Sequence, residues 1–202
     1  MPNWCTTDYI AFGEKVNVER LRIELDNAFD IECRIKNSFG NWWLGNILDL
    51  HGLDWKKFDC RGEITQLTEI EHDFYEEGKS HFMFQTWTAW DPCYGAFEAI
   101  NNLYPDVELF WFAEEPGCGL LETNDVSGIF HPEKVKLRVT EPDGDIWEEY
   151  YSSEEELLKI LNKAEKYLHG KCTTLQEFLD EMDRTYGEEN PYEIDFVSIR
   201  GE

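Results

Sequence analysis

The chain has 202 residues, 42% of them hydrophobic, with 43 acidic against 18 basic side chains and a net charge of −25. That length supports one sizeable core, or one core with a small appended unit. The charge repels nucleic acid phosphates and anionic membranes, and it suits either a basic partner or simple solubility.

Residues 3–12 alternate Cys5, Thr7, Tyr9 and Ala11 with Trp4, Thr6, Asp8 and Ile10, the period of a strand that Gly13 ends. Asn17 is placed to cap a helix running to about Phe29, with Val18, Leu21, Leu25 and Ala28 as its apolar face. Residues 30–62 lack a clear period. They hold the pair Trp42-Trp43 in a loop, then Ile47, Leu48, Leu50, Leu53, Trp55 and Phe58 for a short helix or two. A connection this long usually carries extra structure or a function.

Glu63 to Tyr75 reads as a strand, and Glu76-Glu77-Gly78-Lys79 turns it into a second strand, Ser80–Trp87. Asp91 then reads as an N-cap with Pro92 in the first helical position, followed by Tyr94, Phe97, Ile100 and Leu103 at helical spacing. Tyr104-Pro105-Asp106 stops that helix, and Val107 to Ala113 forms the next strand. The strands on either side of this helix read as parallel neighbours joined by a crossover. The order βαββαβ implies an α+β, ferredoxin-like antiparallel sheet with two helices packed on one face.

After Glu114-Glu115-Pro116-Gly117, residues 118–122 suggest a short strand and 125–132 a turn. Val135, Leu137 and Val139 mark a strand, Pro142-Asp143-Gly144-Asp145 a turn, and 146–151 the return strand. Ser153-Glu154-Glu155-Glu156 and Thr174-Leu175-Gln176-Glu177 are capping boxes, the first opening a helix that ends at Gly170 and the second one that ends near Gly187. Tyr192, Ile194, Phe196, Val197 and Ile199 close with a strand. The expected organisation is a ferredoxin-like domain over 1–133 with a 30–62 insertion. A hairpin-helix-helix-strand subdomain covers 134–202.

Catalytic and cofactor motifs are missing. No histidine sits at metal-ligand spacing, no glycine-rich phosphate loop occurs, and neither catalytic residues, a cofactor nor a metal is expected. His72 and His81 flank the hairpin and read as a cross-strand structural pair. Cys93 begins a helix, which favours a thiolate, but Asp91 two residues earlier opposes it. Phe82, Phe84, Phe110 and Trp111 could stack RNA bases, yet the acidic flanks argue against direct nucleic acid binding. The six cysteines are scattered, and the start of the chain has no basic segment or apolar run, so a cytoplasmic protein with reduced thiols and no membrane association is expected.

The candidate interaction residues are Trp42, Trp43, Trp90, Asp91, Glu114 and Glu115. Exposed tryptophans serve as interface anchors, and carboxylates after a core strand can receive a basic side chain. The alternative is an enzyme, or a small-ligand or metal binder, using a cleft near Glu114, Glu115 and Asp91; a role in solubility alone is a third reading.

Two stretches carry a family resemblance over roughly residues 1–125. Met1-Pro2-Asn3-Trp4-Cys5 is one, and Phe84-Gln85-Thr86-Trp87-Thr88-Ala89-Trp90-Asp91-Pro92 with Tyr104-Pro105-Asp106 and Phe112-Ala113-Glu114-Glu115-Pro116-Gly117 is the other. Together they resemble the Api92-like phage and plasmid proteins, a family with a ferredoxin-like domain and no established activity. Cys93 stands where the family has a second proline, and the segment after Asn41-Trp42-Trp43 departs from its pattern. The resemblance implies a mobile-element origin. By analogy with acidic proteins of such elements, it implies a protein that docks a basic or nucleic-acid-handling partner, with mimicry of DNA as one means.

Overall fold

The computed structural model describes residues 3–29, 35–164 and 171–200. It separates after Asp125 into two units with their own cores. The fold is α+β with two sheets, and so is more than a single ferredoxin-like βαββαβ sheet.

The first unit contains β1 (Trp4–Glu14), α1 (Lys15–Ala28), α2 (Leu44–Leu50), β2 (Gly62–Leu67), β3 (Glu71–His72), β4 (Lys79–Ala89), α3 (Tyr94–Leu103), β5 (Val107–Glu115) and β6 (Leu120–Thr123). The strands lie in the order β6-β5-β1-β4-β2, with β3 also paired to β4, and the pairings are antiparallel. β4 and β5 are therefore parallel but not neighbours, contrary to the sequence expectation. β1 lies between them, because both pair with it over nearly its whole length.

The core forms where the alternating strand residues meet the helices. Tyr9 and Ala11 of β1 and Phe82 and Phe84 of β4 pack against Val18, Leu21 and Leu25 of α1, Ile47 of α2 and Phe97 of α3. The rings of Tyr9, Phe84 and Phe97 form a triangular cluster, with Tyr9 4.7 Å from Phe84 and 4.2 Å from Phe97 and the two phenylalanines 6.1 Å apart. The helix apolar faces follow the 3.6-residue period that the sequence carries.

Four local expectations are corrected. α1 begins at Lys15 directly after β1, and Asn17 lies inside it rather than capping it. Gly13 belongs to β1, where a Cβ would come within 2.7 Å of the Asp106 carbonyl oxygen. The long strand from Glu63 to Tyr75 is instead β2 and β3, with a register shift between Ile64 and Gln66. α3 begins at Tyr94, so Pro92 precedes the helix, and Asp91 caps no helix N-terminus.

The second unit holds a three-stranded sheet in the order β8-β7-β9, with β7 (Val135–Thr140), β8 (Ile146–Tyr151) and β9 (Tyr192–Phe196). The helices α4 (Glu154–Ala164) and α5 (Leu175–Tyr186) close over it. Leu157, Leu161, Phe178 and Met182 bury against Val135, Leu137 and Val139. Both capping boxes form with one variation. Ser153 and Thr174 accept the N–H of Glu156 and Glu177, but these glutamates return to Ser152 and Thr173, one residue earlier than the capping box requires. The expected end of the first of these helices, at Gly170, lies outside the described residues.

Candidate interaction surface

The strand period that buries one face of β1 and β4 against the helices turns the other residues to the opposite face. The register brings Thr6 opposite Trp87, Asp8 opposite Gln85 and Ile10 opposite Met83. On the flanks, Glu63 of β2 stands opposite Trp87, and Glu114 of β5 stands opposite Thr6. One row across the sheet therefore reads Glu63, Trp87, Thr6, Glu114.

Trp4, two residues before Thr6, stacks diagonally on Trp87 with ring centroids 6.3 Å apart and planes at 25°. The two indoles remain 43% and 48% exposed. A large ring pair with this exposure contributes little to the core, and it lies between two carboxylates in the same row. Beside it, Gln85 Nε2 donates to Asp8 Oδ1 at 2.8 Å, and Thr65 Oγ1 donates to Gln85 Oε1 at 3.2 Å, which holds the polar part of the face in place. Met83 continues the exposed apolar surface along β4.

The end of β4 delivers a third indole. Trp90 is 43% exposed and sits in the left-handed region at φ 77°, its N–H donating to the Asn3 carbonyl at 3.0 Å. Cys93 is also left-handed, at φ 55°. Pro92 disfavours a helical conformation at Asp91, so the chain reverses at the residues on either side of Asp91-Pro92. Asp91 supports the reversal: its Oδ1 accepts the Cys93 N–H at 2.7 Å, and its carbonyl accepts from Thr88 Oγ1 at 2.6 Å. Left-handed backbone at non-glycine residues costs free energy that the surrounding structure must supply.

Glu114 and Glu115, adjacent in sequence, diverge onto opposite faces of β5. Glu114 is half-buried on the face that carries Trp87, where Ile10 and Phe112 are buried, whereas Glu115 is only 1% exposed. Burial opposes ionisation of Glu115, but hydrogen bonds from Cys118, the Gly117 N–H and Asn3 outweigh it and hold the carboxyl below its usual range. Its Oε1 accepts the Gly117 N–H at 2.9 Å, so this carboxylate organises its own turn.

Trp42 and Trp43 lie elsewhere. Trp42 is partly exposed and stacks on Phe29 at 4.4 Å, with planes at 17°. Trp43 is buried, donates Nε1–H to the Cys60 carbonyl at 2.7 Å and meets the Trp55 ring edge-on at 4.8 Å. Of the six candidate residues, the fold gathers Trp90, Asp91, Glu114 and Glu115 at the β4–β5 end of the sheet and leaves the Trp42-Trp43 pair in the insertion.

Phe82 and Phe84 face the helices and offer no platform for bases. His72 stands opposite Ser80, its Nδ1 2.7 Å from Ser80 Oγ, while His81 stands opposite Glu71; the two histidines are one step out of register and do not form the expected cross-strand pair. Burial raises the Cys93 thiol far above the range in which it would ionise at neutral pH. Among the described residues, no three His, Cys, Asp or Glu side chains group as a metal site, and no helix is long and apolar enough to cross a membrane. Trp4 and Trp87 were visible as aromatic strand residues, but their pairing depends on the β1–β4 register, which their separation in sequence conceals.

No protein-family model, curated protein or solved structure matches the chain. The resemblance to the Api92-like proteins rests on the residues quoted for it.

Proposed function

We propose that the chain is a non-enzymatic interaction protein whose exposed Trp4–Trp87 surface receives a basic segment of a partner protein. The observation that carries this reading is the exposed Trp4–Trp87 stack set in one register row with Glu63 and Glu114. An arginine or lysine side chain laid on an indole gains from the ring's negative face, and a neighbouring carboxylate pairs with the same charge. The net charge of −25 steers such a partner towards the protein and repels polyanions.

In this reading the first unit is a ferredoxin-like core elaborated by the insertion and by β3 and β6. The strand order β5-β1-β4-β2 with its two crossover helices supports it. The Api92-like resemblance supports a mobile-element source and, by analogy, a basic, nucleic-acid-handling partner. Docking in place of DNA is the corresponding mechanism.

The test is a titration of the intact chain with labelled arginine- and lysine-rich peptides at low and high ionic strength. Affinity should fall steeply with added salt, because exposed charges are screened beyond about 10 Å at 0.1 M. Glu63→Gln and Glu114→Gln should each flatten that dependence. Affinity that ignores salt, or a peptide footprint away from Trp4 and Trp87, would reject the reading.

A further inference from the structure

The insertion forms an open pocket of about 510 Å³ whose lining differs in charge from the chain as a whole. Its walls include Phe39, Trp43, Trp55 and Phe58. Among the described residues that line it, three are cationic, Lys36, Lys56 and Arg61, and one is a carboxylate, Asp59. In a chain with 18 basic and 43 acidic residues, three cations to one anion among the described lining residues reverses the global balance.

The fold maintains this arrangement. Trp43 is fixed by its bond to the Cys60 carbonyl and by its edge-on contact with Trp55. Asn37 Oδ1 accepts the N–H groups of Phe39 and Gly40 at 2.7 and 2.9 Å and shapes the loop that forms one side. Asp54 accepts the Lys56 N–H at 3.3 Å and opens the single helical turn Trp55–Lys57, whose Lys56 Nζ lies 5.5 Å from the Trp55 ring centre. Asp59 is engaged in its own turn, its Oδ1 accepting the Arg61 N–H at 3.3 Å. Burial raises the Cys60 thiol to about 11, so it stays neutral at physiological pH and adds no negative charge to the cavity.

We propose that this cavity is a binding site for a small anion bearing a flat aromatic ring, of the size and chemistry of a nucleoside monophosphate. Aromatic walls offer stacking to a ring, and the cations offer charge-assisted hydrogen bonds to a phosphate; Arg61 can present two donors at once. The volume falls within the range of small-molecule sites. A nucleic acid strand is disfavoured, since its further phosphates would meet the acidic surface that surrounds the site. This site is separate from the sheet face and does not depend on the partner proposed for it.

The experiment is calorimetric titration of the intact chain with the four ribonucleoside monophosphates, with inorganic phosphate and an uncharged nucleoside as separate arms. Saturable one-to-one binding of at least one monophosphate is expected, with phosphate alone and nucleoside alone each at least tenfold weaker. Lys56→Gln and Arg61→Gln, both at exposed residues, should each weaken binding about tenfold without changing the thermal midpoint. Trp55→Leu should weaken the nucleotide while leaving weak phosphate binding in place. Equal binding of phosphate and nucleotide would reduce the site to an anion hole and overturn the stacking role. No saturable binding of any monophosphate, or binding unchanged in both charge variants, would overturn the proposal.

Discussion

Replacing Trp87 by alanine separates an interface residue from a core residue. A Trp→Ala change in a core costs about 3–5 kcal/mol, most of it transfer and cavity free energy. Trp87 is 48% exposed, and its stacking partner Trp4 is 43% exposed, so roughly half of that transfer contribution is already absent and solvent fills the space left behind. About 1–1.5 kcal/mol of transfer free energy remains once the cavity contribution is gone, and about 0.5–1.5 kcal/mol for the lost ring pair brings the expected destabilisation to about 1.5–3 kcal/mol. For binding, a central tryptophan anchor is worth about 2 kcal/mol or more, a loss of about 30-fold in affinity. Urea unfolding measures the first quantity, and anisotropy of a labelled arginine-rich peptide measures the second. Trp4→Ala should give the same pattern, and the double variant should lose little beyond either single change, because one substitution already breaks the stack. Peptide affinity within threefold of the parent protein, or a stability loss above about 3 kcal/mol, would refute the argument that this ring pair is held for docking.

Other consequences concern the two cores. Tyr104 is buried at the end of α3; its hydroxyl donates to Glu24 of α1 and lies 2.6 Å from His51 Nε2, so Tyr104→Phe should cost about 1–2 kcal/mol in urea unfolding, with an unchanged denaturant slope. In the second unit, Thr174 Oγ1 caps α5, and Thr174→Ala should cost about 1 kcal/mol, seen as faster hydrogen exchange in α5 and not in α1. Burial lowers the pKa of His81, with the carboxylate of Glu71 opposing it. The unfolded chain therefore takes up the proton first as pH falls, so this group is neutral in its effect above the ordinary histidine range and subtracts stability as pH drops through it. The difference between parent and His81→Gln stability curves should show that loss in the parent below about pH 6.5 and should be flat above it.

Sequence reading captured what depends on local period. The alternation of Cys5, Thr7, Tyr9 and Ala11, and the spacing of Val18, Leu21, Leu25 and Ala28, each placed a buried face correctly, since both patterns report neighbours on one element. The capping boxes at Ser153 and Thr174 also act locally and were legible for that reason. What the period cannot supply is which strand lies beside which. β1 separates β4 from β5 because its long register satisfies both, a non-local fact. The Asp-Pro signal misplaced the α3 start for a different reason: left-handed backbone at Trp90 and Cys93 turns the chain before the helix begins, and neither residue type advertises that conformation. The cationic cavity was hidden because Lys36, Lys56 and Arg61 are spread along an irregular stretch that only its fold draws together.

The two surfaces make opposite use of one charge distribution, and salt should distinguish them. At physiological ionic strength, charges more than about 8 Å apart through solvent are largely screened. A basic segment approaching the Trp4–Trp87 surface is drawn by the net −25 at low salt and by Glu63 and Glu114 at contact, so both attractions weaken together as salt rises. A small anion entering the insertion meets long-range repulsion from the same net charge but local attraction from Lys36, Lys56 and Arg61. Salt weakens both of these opposing contributions, so nucleotide affinity should change with a much shallower slope than peptide affinity, and its association rate should rise, not fall, when the first salt is added. A peptide and a nucleotide that gave the same salt slope would mean that both read only the overall charge, and the separate roles assigned to the two surfaces would fail together.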